Sequence, residues 1–277
     1  IGDEGARSLA AHLPSGLRQL HLAFRGCGIG PGGTRALAEK LPAELSQLHL
    51  NFRGCGLGVE GARAIAGNLP EALEHLHIDF GDCSIRCEGA RVLAERLPQS
   101  LSRLHLNLGG CGVGADGVAK IATRFPRNLS DLHLQLGGGN SIGANAARIL
   151  AEHLPQGLER LRIELAWCSV FDEGACALAE FLPPGLSQLR LGLGGCGIGC
   201  DGVCAIARRL PAGLRELHLD FGRCRLGDKG ARTLLEHLPA RIAHLRLDLR
   251  GCGVSFEERA SLRDLLPAEV PKTSMVL

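Results

Sequence analysis

The apolar positions of this chain form a pattern that repeats every 28 residues. Copies begin at Ile1, Ile29, Leu57, Ile85, Val113, Ile142, Val170, Ile198 and Leu226, with one spare residue in the fifth, and a degraded tenth copy runs from Val254 to Leu277. Each reads approximately I-G-x-x-G-A-R-x-L-A-x-x-L-P-x-x-L-x-x-L-x-L-x-[FL]-x-x-C-x. In the first half of copy one, Ala6, Leu9, Ala10 and Leu13 recur at the three-and-four spacing of a helix with one apolar stripe. Pro14, like its counterparts from Pro42 to Pro239, stops that helix after about two to three turns, because proline cannot continue the hydrogen-bond ladder. In the second half, Leu20, Leu22 and Phe24 alternate with His21, Ala23 and Arg25, the period of a strand with one buried face.

A strand reached again after each helix pairs in parallel with its predecessor. The sequence therefore predicts one α/β solenoid domain over 1–277, with nine repeats in 1–253 and a degenerate capping repeat in 254–277. Nine strands line a concave sheet, helices cover the convex side, and the tail after Pro267 is expected to lack a strand. The glycine that opens each helix, as at Gly5, Gly33 and Gly61, reads as a close-packing position between neighbouring helices, with Ala146 the exception. The Gly-Gly-Cys-Gly turns are not phosphate cradles, since they lack the Lys-Ser/Thr of a P-loop and recur too often to be one site.

The run L-x-x-L-x-L-x-[FL]-x-x-C-x-[IL]-G, as in Leu17 to Gly30, resembles the leucine-rich-repeat family, and the 28-residue period with a full helix is similar to its ribonuclease-inhibitor-like subfamily. The resemblance covers almost the whole chain. It implies a curved horseshoe with a parallel β-sheet on the concave face. It also implies that the column Cys27, Cys55, Cys83, Cys111, Cys168, Cys196, Cys224 and Cys252 closes the turn after each strand, with the side chain facing inward and bonded to loop backbone. One departure is an added apolar residue after the last strand leucine (Phe24, Phe52, Phe80, Leu108 and their counterparts), which is expected to lengthen the strand.

Parallel side chains in neighbouring repeats point the same way, so the column cysteines are expected to be thiols and not disulfides, which favours a reducing intracellular compartment. Cys176 and Cys204 are expected to stack across adjacent helices, and with Cys200 they make at most a partial metal site. Charges nearly cancel, 31 basic against 29 acidic, so no global field draws the chain to nucleic acid or anionic membrane. No apolar run approaches the roughly 20 residues that span a bilayer. Copy one is already a consensus repeat without a polar cap, so further chain or a partner is expected to cover its edge.

The polar face of the strands carries the candidate chemistry. One column reads His21, His49, His77, His105, His133, Arg162, Arg190, His218 and Arg246. Two residues on, it reads Ala23, Asn51, Asp79, Asn107, Gln135, Glu164, Gly192, Asp220 and Asp248, so each rung is expected to pair across or with the next repeat. The plain reading is a solvated ladder; the functional one is a surface that recognises another protein. A regular row of imidazoles supplies no closed cage for zinc or copper, and no nucleophile–base group stands out, so neither a cofactor nor catalysis is predicted. Copies five to seven break the pattern. Gly137 to Ser141 replace the cysteine, and Ala166, Trp167 and Phe171 stand where glycine is usual. Trp167, the single tryptophan in a chain without tyrosine, is either a binding anchor or a filler over the glycines of the preceding turn. The function predicted is a non-enzymatic protein-binding scaffold, such as a fixed subunit of an assembly. The alternatives are a GTPase-activating leucine-rich-repeat protein and the ligand-sensing repeat domain of a larger receptor.

Overall fold

The computed structural model describes residues 1–266, 270, 271 and 274–277. The chain forms two compact units, Ile1–Asn140 and Ser141–Leu277. The first contains helices α1 (Gly2–Ala11), α2 (Pro31–Ala38), α3 (Gly58–Gly67), α4 (Arg86–Glu95) and α5 (Gly114–Ala122). They alternate with strands β1 (Gln19–Ala23), β2 (Gln47–Asn51), β3 (His75–Asp79), β4 (Arg103–Asn107) and β5 (Asp131–Gln135). The second contains α6 (Gly143–Glu152), α7 (Phe171–Glu180), α8 (Cys200–Arg209), α9 (Gly227–Glu236) and α10 (Phe256–Asp264). Its strands are β6 (Arg160–Glu164), β7 (Gln188–Gly192), β8 (Glu216–Asp220), β9 (His244–Asp248) and β10 (Met275–Val276).

Within each unit every strand is parallel to the next, and equivalent residues face each other without slippage: His49 opposite His77 in the first, Arg190 opposite His218 in the second. The 28-residue period dictates this register, because one repeat's length returns the chain to the same height. The leucines of each strand and the apolar stripe of each helix meet in the core. Leu48, Leu50 and Phe52 are at most 2% exposed, as are Ala62, Ile65 and Ala66 of the helix that follows. Each fully buried Leu, Ile or Phe contributes about 1.5–3 kcal/mol, repeated along the stack.

Three expectations need correction. Strands β1 to β9 are five residues long and end before the added apolar residue; Phe52 lies just past β2 because Gly54, at φ +69°, turns the chain there. The ladder nonetheless runs on, with Phe52 N–H donating to the Asp79 carbonyl and Gly54 N–H to Gly81, both at 2.8 Å. The tail is not strandless, since Met275 and Val276 pair in parallel with Leu247 and Asp248; Pro267 itself lies outside the described residues. Met275, 3% exposed, covers the last core layer. Finally, Cys204 has its sulfur neighbour on its own helix, Cys200 at 3.8 Å, while Cys176 is exposed.

The turns bind successive repeats together. Cys55, Cys83 and Cys111 donate their thiols to the carbonyls of Phe24, Phe52 and Phe80 in the repeat before, at 2.7–3.0 Å. Cys196, Cys224 and Cys252 do the same in the second unit. Asn140 occupies this column's place in the fifth copy. Buried to 1% exposure, it donates to Leu108 and Leu136 carbonyls and accepts from Val113 N–H, so the spare residue is absorbed by a longer side chain making the same backward bond. The opening glycines are steric, as predicted: a Cβ on Gly33 would lie 2.9 Å from the Asp3 backbone.

A second backward link was invisible in the consensus. Where a repeat carries Asp at its third position, its carboxylate accepts from the backbone of the next: Asp3 from Gly30, Asp172 from Gly199 and Gly202, and Asp228 from Ser255. Elsewhere the equivalent amide donates to the carbonyl of the cysteine that ends its own copy, as Gly58 does to Cys83.

Candidate functional site

In the first unit the polar face holds five imidazoles in one row. His21, His49, His77, His105 and His133 stack ring on ring, with centroids 3.7–3.9 Å apart and planes within 29° of parallel. The strand spacing imposes this distance, because identical residues in register repeat at about 4.8 Å along the backbone and tilt into contact. His49 to His133 are partly buried by their own stacking. Burial and then the neighbouring His21 hold His49 below its usual range, against a weaker opposing pull from Asp79. His77 falls to about 3, through burial first and then His105 and His49. Desolvation and the stacked imidazoles outweigh the pull of Asp79, so these two rings are neutral at pH 7.

In this unit three residues of the second column bond to backbone. Asn51, Asp79 and Asn107 each turn their Oδ1 to accept from the backbone N–H two residues on, Arg53, Gly81 and Gly109, at 2.9–3.0 Å. These Asx turns shape the strand exit. Asn107 is only 4% exposed, so it is a structural residue and not part of an accessible surface.

In the second unit the row becomes Arg162, Arg190, His218 and Arg246. Here one predicted pair forms, Arg190 Nε to Glu164 Oε1 at 2.7 Å. It has room because Gly192 lacks the side chain that would collide with Glu164. His218 lies between arginines and is lowered to about 4 by burial, then by Arg190 and Arg246, with Asp220 opposing. Asp220 and Asp248 serve the Asx role, accepting from Gly222 and Arg250.

Trp167 stands at the exit of β6, 59% exposed, with its backbone in the left-handed region at φ +63°. Its ring lies over Gly195 of the following turn, where a Cβ would come within 2.6 Å of it, and the Arg223 guanidinium carbon sits 5.6 Å from the ring centroid. The filler reading named the wrong neighbour. Sequence periodicity does not reveal Arg223, because it is an irregular residue in a glycine column and meets Trp167 only through side-chain length. Phe171, 48% exposed, lies likewise over Gly197. Three further histidines cap helices: His12, His153 and His237 place Nδ1 2.8–2.9 Å from the carbonyl four residues back. Among the described residues no group of three or more His, Cys, Asp or Glu could hold a metal ion, and no helix is long and apolar enough to cross a membrane.

A leucine-rich-repeat family model matches residues 48–66, 104–122 and 217–235, each running from a strand through the turn into the next helix. The chain thus has the leucine-rich-repeat fold, with the family model matched in three of its repeats. In structure it is similar to the leucine-rich repeat-containing protein LegL7 of Legionella pneumophila, with 15% identity, 96% of this chain and 85% of that one covered, and a TM-score of 0.51. A Bacteroides fragilis protein aligns with 14% identity, 98% and 70% coverage and a TM-score of 0.47. The yeast Rad7–Elc1 complex gives 18% identity, 98% and 75% coverage and a TM-score of 0.41. No curated protein sequence matches the chain significantly.

Proposed function

We propose that this chain is a non-enzymatic scaffold of the ribonuclease-inhibitor-like kind that binds another protein through the polar face of its strands. The observation that carries the reading is the unbroken row of five stacked imidazoles. Side chains held in register by a sheet lose little further freedom on binding, so each hydrogen bond to a partner is made at low entropic cost. His49 and His77 offer neutral donors and acceptors in one unit, with His105 and His133 continuing their row, while Arg162, Arg190 and His218 offer a more cationic row in the other, with Glu164 and Trp167 beside it. Asn51, Asp79 and Asp220 set the shape of this surface by holding its turns. The column of buried thiols supports residence in a reducing compartment.

The test is affinity capture with the intact chain, repeated with His77→Ala, His105→Ala and His133→Ala. Loss of a captured protein by at least one folded variant, equivalent to more than about 1 kcal/mol, is expected. Unchanged capture by all three would assign the strand face to solvation alone.

A further inference from the structure

The position that follows each strand by three residues adopts a left-handed backbone along the chain, and glycine fills it at Gly26, Gly54, Gly110, Gly138, Gly195 and Gly251. The exceptions are Asp82, Trp167 and Arg223, at φ +60°, +63° and +61°. Asp82 is explained locally by its ion pair with Arg53 at 3.3 Å. Trp167 and Arg223 flank Gly195 on either side and reach over it to each other. Two large side chains are thus held in a conformation that disfavours them, with no apolar core gained, since the ring remains 59% exposed.

They wall a cleft of about 340 Å³ with a floor of glycines. Its carboxylates are already used: Asp248 is bonded to Arg250 through backbone and guanidinium, and Asp220 accepts from the Gly222 amide. Arg223 has no ion pair among the described residues; its contact is the aromatic ring. On His218, two residues from Asp220, the charges of Arg190 and Arg246 outweigh that of Asp220. An exposed indole beside an uncompensated guanidinium fits a ligand that is apolar at one point and anionic next to it.

We propose that this cleft docks an acidic peptide segment, whose aromatic or aliphatic side chain packs on Trp167 and whose adjacent carboxylate pairs with Arg223. The proposal rests on the protein-binding reading and supplies the chemistry of the partner at this end.

Trp167 is the sole tryptophan and the chain has no tyrosine, so its fluorescence reports on the cleft alone. The probe is a capped pentapeptide with phenylalanine between two pairs of glutamates, titrated into the full chain. Expected is a saturable change in emission, weakened about tenfold or more by Arg223→Ala. Arg223→Gly, which restores the residue other repeats use, should weaken it equally and rules out a folding defect. Binding should fall as salt rises from about 50 to 500 mM, and Arg148→Ala, on the outer face of α6, should leave it unchanged. No saturable response, an equal response to the lysine counterpart, or tighter binding of oligothymidylate would overturn the proposal. Failure of the peptide while capture still depends on the histidine row overturns the cleft and spares the scaffold reading; a binding cleft with capture indifferent to that row does the reverse.

Discussion

The thiol of Cys83 donates to the carbonyl of Phe52, which lies 31 positions earlier and already accepts from the Cys55 amide. Cys83→Ala therefore removes one of two donors and a small buried volume, and is expected to cost about 1–2 kcal/mol. Asn140→Ala removes two donated bonds and the acceptor for Val113, and is expected to cost about 3 kcal/mol. Urea unfolding of both variants checks the order; equal costs would mean that the column contributes only volume.

Thiol reactivity follows from burial. Desolvation pushes Cys83, Cys168 and Cys252 up to about 12, so almost no thiolate exists at neutral pH. Iodoacetamide on the native protein should label exposed Cys87 first and Cys176 more slowly, since burial and Asp172 raise the latter. The buried column from Cys55 to Cys252 should react only after unfolding. Peptide mapping by mass spectrometry reads the order, and rapid native labelling of Cys83 would contradict it.

The histidine row makes stability depend on pH. His77 and His218 are lowered to about 3 and about 4 in the folded chain, against about 6.5 when unfolded. Between these values the unfolded state binds more protons, so their contribution is complete above about pH 6.5 and is lost as pH falls towards 3. Binding through the row should follow the same window, lower than unperturbed imidazoles would give. Thermal midpoints from pH 7.5 to 3.5 provide the measurement. In His77→Ala the slope should flatten; an unchanged slope would remove this ring from the account.

Asp172 ties two amides of the next repeat, at Gly199 and Gly202, with one carboxylate oxygen. Asp172→Ala is expected to cost about 2 kcal/mol, since hydrogen bonds to a charged acceptor are worth more than neutral ones. Amide hydrogen exchange at Gly199 and Gly202 should accelerate, while Gly58, which donates to a backbone carbonyl, should not change. Uniform acceleration at all three would point to global loosening instead.

Periodicity exposed what depends on recurrence. Leu48, Leu50 and Ile65 sit in the core because each belongs to a column, and the imidazole row follows from His21 to His133 occupying one strand position. It could not expose what depends on side-chain reach. Asn107 looked like a surface amide, but its own strand exit needed an acceptor. Asp3, Asp172 and Asp228 occupy a position that varies between copies, so averaging the repeats erased them. Met275 pairs as a strand without any repeat pattern, since a two-residue edge needs only backbone.

The bond from Asn140 back to Leu108 has a further consequence. Each turn is anchored by where its donor arrives, not by how many residues precede it. A residue can then be gained in a turn while the bond to the preceding repeat is still made, provided some side chain still reaches the old carbonyl. The turns are in this sense free to lengthen and diversify, which is how a chain of near-identical copies can acquire an irregular turn and keep the tie to the copy before it.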